Sequence, residues 1–259
     1  MLFFTGLHQP ADARHFARAC ISIHRLETRR KPVECESVFI DSGAFTKLAK
    51  HGCYPEPVEV YAAQLHRLHT QGVVQIAVAS CQDYMCEPFM LAKTGLTVLD
   101  HQRLTIERYD ALVTELHRLF DGVVPFEVLP VLQGFTITDY LRHIDMYGDR
   151  LTPGMWVGVG SVCKRQGRPA VIEDLLCAIK EVRPDLRLHG FRRETDGAAK
   201  PTRSTASLQR GQHGVVVRRP QSRSIRQRLA RGQGLRSPRP YPINRAGAAA
   251  AVRGVRNAA

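Results

Sequence analysis

Six short apolar runs alternate with stretches of helical periodicity over the first 190 residues, and no other feature constrains the fold as much. The runs are Leu2–Thr5, Val38–Asp41, Val74–Ser80, Val128–Leu132, Trp156–Gly160 and Leu186–Leu188. They are almost continuously apolar, as strands are when both faces are covered. Between them lie helical patterns. Pro10 opens a predicted helix running to Ala19, and Arg25 to Glu36 reads as charged and irregular. Val58, Tyr61, Ala62, Leu65 and Leu68 place one buried face on a helix from Pro57 to Gln71. Tyr109, Leu112, Val113 and Leu116 do the same for Val98 to Phe120, as do Ile137, Tyr140, Leu141, Ile144 and Tyr147, and then Ile172, Leu175, Leu176, Ile179 and Val182. Strand and helix in turn mean a parallel sheet, hence an α/β fold.

Polar residues gather after the strands: Asp41, Gln82-Asp83, Gln133 and Ser161 to Lys164. The carboxyl ends of parallel strands are where such folds place their chemistry. An incomplete (β/α)8 TIM-type barrel with about six βα units accounts for the pattern. An open doubly wound sheet competes with it, although no G-x-G-x-x-G follows the first strand. Asp41 ends a buried run and is followed by Ser42-Gly43. Such a carboxylate serves either to start the next helix or to do chemistry, and both readings stand at this point.

The charge is not evenly spread. Of 37 Lys+Arg and 24 Asp+Glu, 16 basic residues but only 2 acidic ones lie beyond Gly190. Residues 1–191 therefore form a near-neutral domain, and residues 192–259 an Arg/Ala/Gly-rich tail with few large apolar side chains. Such a tail buries too little to offset its ordering entropy and is expected to be disordered. It reads as a nucleic-acid-binding arm, as an inert linker or as a frame-shift product. The last is preferred, because a one-base shift of a permissible coding for Leu208 to Val216 yields Tyr-Ser-Ala-Asp-Ser-Met-Ala-Trp, restoring acidic and aromatic residues.

Seven Cys without a C-x-x-C pair indicate reduced thiols in a cytoplasmic protein, not a disulfide framework or a zinc site. No apolar run approaches the roughly 20 residues needed to span a bilayer, and the first residues lack a basic leader.

Asp41-Ser42-Gly43-Ala44-Phe45 resembles the D-S-G-[GA]-F segment of tRNA-guanine transglycosylases. Gln82-Asp83-Tyr84, Val131-Leu132-Gln133-Gly134 and Val157-Gly158-Val159-Gly160-Ser161 follow in the order of that family's substrate loops. The D-S-G-A-F variant is closest to the DpdA-like branch, associated with 7-deazapurine modification of DNA. The likeness covers residues 1 to about 191.

The resemblance implies a (β/α)8 barrel and exchange of a guanine for a 7-deazapurine through a glycosyl-enzyme intermediate. The partners would be a 7-deazapurine base and a nucleic acid, DNA rather than tRNA, with no membrane and no cofactor. Asp41 would be the general acid/base. Asp83 would accept the base's N–H donors, or else cap the helix near Glu87. Gln133 and Gly134, with the backbone from Gly158 to Gly160, would complete the base pocket, although Gln133 also suits neighbouring backbone groups. Ser42, Gly43 and Phe45 belong to the same substrate segment. Lys164 and Arg165 fit phosphate contacts or a solvated surface equally. The family's nucleophilic aspartate follows the sixth strand. Here the last Asp is Asp196, in the tail, so this chain is expected to be impaired. The family's later zinc cluster has no counterpart either, so no metal is expected. Two other readings remain: a non-catalytic deazapurine- or nucleic-acid-binding protein, and a nucleoside hydrolase-like enzyme on an open sheet.

Overall fold

All the strands pair in parallel, each with its neighbour along the chain except at the step across Pro130, and the first two expected strands are separated by an additional one, Arg18–Ser22. The structure, a computed structural model, describes residues 4–162 and 169–191. Strands β1 (Thr5–Leu7), β2 (Arg18–Ser22), β3 (Ser37–Asp41), β4 (Ile76–Ser80) and β5 (Glu127–Leu129) form a five-stranded parallel sheet in that order. Strands β6 (Val131–Leu132), β7 (Trp156–Val159) and β8 (Arg187–Gly190) form a second parallel sheet. Pro130 divides β5 from β6, because proline has no N–H to give to a ladder. Its carbonyl still accepts from Gly158 N–H at 2.8 Å, so the chain passes from one sheet into the next. Strand order follows chain order without the reversal that marks a doubly wound sheet.

Alternation along the strands feeds two apolar layers. Val38, Ile40, Ala79, Val157 and Val159 pack outward with the helices. Phe39, Val78, Leu129 and Trp156 point the other way and meet Phe4 in a separate inner cluster. The Phe39 ring stacks on His189 of β8 at 4.9 Å, and Phe4 meets Trp156 edge-on at 6.1 Å. Residues from β3 and β8 thus face each other, so the sheet is curled. Gly158 belongs to this inner layer: a Cβ there would come within 2.8 Å of Phe191 and 3.1 Å of Leu129.

The outer layer is made by α1 (Ala44–His51), α2 (Val58–Thr70), α3 (Pro88–Thr94), α4 (Val98–Leu119), α5 (Ile137–Tyr147) and α6 (Pro169–Val182). Thr97 with Asp100 and Thr136 with Asp139 form reciprocal capping boxes at α4 and α5. Among the described residues, no helix is long and apolar enough to cross a membrane.

The helix expected over Pro10–Ala19 is instead a 3₁₀ turn, Pro10–His15, followed by strand β2. Pro10 starts a turn as readily as a helix, and Ala19 and Ile21 are buried on the outward face while Cys20 packs inward. That is a strand's period of two in a segment of only five residues. The first strand likewise sits later than expected, at Thr5–Leu7. Lys164, Arg165 and the basic tail lie outside the described residues.

Candidate functional site

Asp41 is the last residue of β3, in register with Ser22 at the end of β2. Its Oδ2 accepts from Gly43 N–H at 3.2 Å, inside the turn that precedes α1; the helix itself starts from Gly43 without a side-chain cap, so Asp41 does not cap it. Burial pushes its pKa up, against the opposing pull of the Gly43 N–H, the Ser22 hydroxyl and the charge of His24. Gly43 has φ +72°, and a Cβ there would overlap the His24 ring. That ring sets Nε2 3.3 Å from Gly43 O and Nδ1 2.9 Å from Glu27 Oε1.

The ends of β3 and β4 are tied together. Ser42 N–H donates to Ser80 Oγ at 3.0 Å, and Tyr61 O–H donates to Ser80 O at 3.0 Å. Ser42 Oγ is buried and is one of two buried side-chain polar atoms without a hydrogen-bond partner among the described residues. Phe45 projects from α1 and pairs with Phe89 of α3, ring centroids 6.1 Å apart; both are more than 40% exposed.

Asp83 follows β4, at the same end of the sheet as Asp41. It does not cap α3, whose first turn begins at Glu87 without a side-chain cap. Instead its Oδ2 accepts a short hydrogen bond from Gln133 Nε2. Burial and the neighbouring Asp41 raise its pKa to about 7, with Glu87 adding to the rise and Gln133 opposing it. Two carboxyl groups sharing a buried site cannot both ionise freely. Tyr54 O–H donates to Asp83 O at 2.8 Å. Gln82 Oε1 accepts from Arg108 Nη2 at 2.6 Å, and that guanidinium lies 4.2 Å over the Tyr54 ring.

Gln133 follows β6, and every polar group it has is used. Its N–H donates to His143 Nδ1 at 2.8 Å, and its carbonyl accepts from Gln102 Nε2 at 2.7 Å. His143 Nε2 lies 3.1 Å from Gln102 O, so the neutral tautomer protonated at Nε2 satisfies both ends. Burial drives the His143 pKa down to about 3. The amide side chain of Gln133 bridges Asp83 and Ser161. Both partners are side chains, whereas the alternative reading of Gln133 has it satisfying neighbouring backbone groups.

The three atoms nearest to a Cβ placed on Gly160 all belong to the Gln133 amide. The Gly160 N–H donates to Leu132 O and its carbonyl accepts from Tyr140 O–H at 2.7 Å, so its main chain is already satisfied. Gly134 is pressed against Asp139 and Tyr140. The glycines at 134, 158 and 160 thus make room for protein neighbours. Gly160 alone among the three does so for a candidate site residue.

Sequence reading missed His24, Arg108, Gln102, His143 and Glu87 as members of this constellation. His24 lies in a 3₁₀ turn, Ile23–Arg25, beyond the helix expected to end at Ala19, so no expected strand end pointed to it. His143 carried a signal: it shares the buried face of its helix with Tyr140, Ile144 and Tyr147, and a buried polar residue on such a face needs partners.

Among the described residues no group of three or more His, Cys, Asp or Glu is placed to hold a metal ion. Two open depressions, about 480 and 300 Å³, lie at the amino ends of strands, the first near Arg14 and Glu34 and the second near Thr152 and Arg187. Both are remote from the paired carboxyls in this topology.

These features define a parallel α/β protein with a buried carboxyl-amide site at the carboxyl ends of its strands. Residues 1–202 match the family model DpdA, described as DeoxyPurine in DNA protein A, and the chain belongs to that family. The match runs slightly past Phe191, the end of the sequence likeness to the transglycosylases. Membership associates the chain with 7-deazapurine modification of DNA. Comparison with curated proteins returns no match.

Proposed function

We propose that this chain binds a guanine-like base against Asp83 and Gln133, and that the site descends from one that exchanges a guanine in DNA for a 7-deazapurine. The observation that carries the reading is the convergence of Asp83, the fixed Gln133 amide and the unpartnered Ser42 hydroxyl beside Asp41. An ionised Asp83 accepts the N–H donors of a guanine-like edge.

In the exchange reaction a carboxylate forms a bond to C1′ as the C1′–N9 bond breaks. Asp41, whose pKa burial raises, gives a proton to the departing base and recovers one from the incoming base. A base in duplex DNA must be flipped out first. The nucleophile of that scheme is missing from the chain as written, so it holds the base without completing the exchange. The curled sheet is in this reading an incomplete (β/α)8 barrel spanning residues 1–191.

Titration of the full chain with 7-cyano-7-deazaguanine tests the pocket. Asp83→Ala is expected to weaken binding at least tenfold, since the partnered donors lose a charged acceptor worth about 1.5–3 kcal/mol. Equal and negligible binding to both proteins would remove the base-binding reading.

The 16 basic residues beyond Gly190 favour a second reading, a nucleic-acid-binding arm. Deleting residues 192–259 leaves DNA affinity nearly unchanged if the tail is a frame-shift product. Loss of affinity together with its steep salt dependence would establish the arm.

A further inference from the structure

The residues behind Asp83 form a hydrogen-bonded chain that ends on a second buried acid. Asp83 Oδ2 meets Gln133 Nε2, Gln133 Oε1 lies 2.7 Å from Ser161 Oγ, and Ser161 Oγ lies 2.9 Å from Glu87 Oε2. Glu87 is only 5% exposed. The Ser161 hydroxyl also accepts from Cys86 N–H at 2.8 Å. It has one hydrogen and faces two acceptors, the Gln133 amide oxygen and the Glu87 carboxylate. With both acids ionised, one of those contacts would set lone pair against lone pair in a buried site, where unsatisfied polar groups are costly.

One added proton resolves the conflict in two ways. On Glu87, it is donated to Ser161; Ser161 donates to Gln133 Oε1, and Gln133 Nε2 donates to ionised Asp83. On Asp83, it is donated to the Gln133 amide oxygen, the amide being turned end for end; Nε2 then donates to Ser161, and Ser161 donates to ionised Glu87. Both arrangements hold the same protons and the same number of hydrogen bonds, and both fit the same heavy-atom positions.

We propose that Asp83 and Glu87 share one proton through the Gln133 amide and the Ser161 hydroxyl, and that a base edge carrying N–H donors shifts it from Asp83 to Glu87. An Asp83 O–H bond breaks and a Glu87 O–H bond forms, while the amide and the hydroxyl only reorient. The second half rests on the base-binding reading above.

The local backbone is built to hold this chain. Ser161 keeps φ +54°, a conformation that costs a non-glycine residue about 1–2 kcal/mol. Gly160 leaves the space that the Gln133 amide fills. The titratable groups acting on or beside Asp83 are Asp41 from β3, Cys81 from the end of β4, Cys86 and Glu87 from its own loop, and the phenols of Tyr54, Tyr61 and Tyr147. The Arg108 guanidinium is engaged by Gln82 and the Glu56 carbonyl, and Arg142 by Asp139 and Gln102.

Two measurements on the full chain separate the halves. Infrared spectra with carboxyl-labelled Asp or Glu, taken near neutral pH with no base present, read which acid is protonated. A protonated-carboxyl band that moves with the Glu label and vanishes in Glu87→Gln is expected. Its absence from the wild-type protein overturns the sharing. Calorimetry with 7-cyano-7-deazaguanine in buffers of different ionisation heat then counts protons released on binding. The wild-type protein should release almost none, and the protonated-carboxyl band should pass from the Asp label to the Glu label as the base binds. Release of about one proton per base, or an Asp-label band that persists with base bound, overturns the shift. Absence of binding heat sinks the base-binding reading and the shift with it, and the infrared result still decides the sharing.

Discussion

Gly160→Ala should cost about 3 kcal/mol of stability and abolish binding of a guanine-like base, although its backbone conformation is open to alanine. The φ of Gly160 lies outside the left-handed region, so no strain opposes the change. The loss comes from the Gln133 amide, whose atoms are the three nearest to the new methyl group. Overpacking a filled interior costs about 1–3 kcal/mol. Pushing the amide aside also leaves Asp83 and Ser161 without their partner, which adds about 1–3 kcal/mol.

The informative measurement is a double-mutant cycle by urea unfolding. In a Gln133→Ala background the obstructing side chain is gone. Gly160→Ala should then be neutral or stabilising by about 0.4–1 kcal/mol, the usual gain from reducing the entropy of the unfolded chain. Gly6→Ala, where a Cβ meets nothing within 4 Å, serves as the neutral control. Additive costs in the cycle would show that Gly160 is constrained by something other than Gln133.

That glycine shows where sequence reading succeeds and where it stops. The Val157-Gly158-Val159-Gly160-Ser161 segment is legible as a strand ending in candidate chemistry, because apolar continuity and glycine placement are local signals. The two glycines nevertheless have different reasons for being glycine. Gly158 yields to Phe191 and Leu129 in the inner layer, and Gly160 yields to a side chain from the preceding strand's loop. Neither reason is local, so neither was visible. The same limit hid the link from Ser161 to Glu87, which joins groups 74 positions apart. The positions of Asp41, Asp83 and Gln133 were readable because parallel strands place successive carboxyl ends together. Strand β2 was not, because five residues after a proline turn carry too little periodicity to separate a strand from a helix. Pro130, by contrast, is a breaker in plain view, and it splits the single strand expected over Val128–Leu132 into members of two sheets.

The buried groups behind the site also set how stability responds to acid, and the second large effect is a pair of opposite slopes. His143 titrates at about 3 in the folded protein, against an ordinary 6.5. Between those values the unfolded chain takes up a proton that the folded chain refuses, so acidification through that range favours unfolding. Asp83 titrates at about 7 in the folded protein, against an ordinary 3.8. Between those values the folded chain keeps a proton that the unfolded chain has lost, so acidification there favours folding. Each group contributes about 1.4 kcal/mol per pH unit inside its window. The raised Asp41 adds to the sign of Asp83, and the lowered His101 and His189 add to that of His143. The carboxyls of Asp100, Asp139 and Asp185 are lowered from 3.8, so their losses fall below the shared range. The wild-type protein should therefore change little in stability over the range where the windows overlap, because two buried groups oppose each other. Asp83→Asn removes one of them, and stability should then fall by on the order of 3 kcal/mol as the pH is lowered across the overlap. His143→Asn, which keeps an acceptor for the Gln133 N–H, should make stability rise across the same range by a similar amount. Urea unfolding at several pH values reads both slopes directly. Parallel curves for the two variants would mean that the folded protein holds neither a proton on the Asp83 side nor a neutral imidazole at His143.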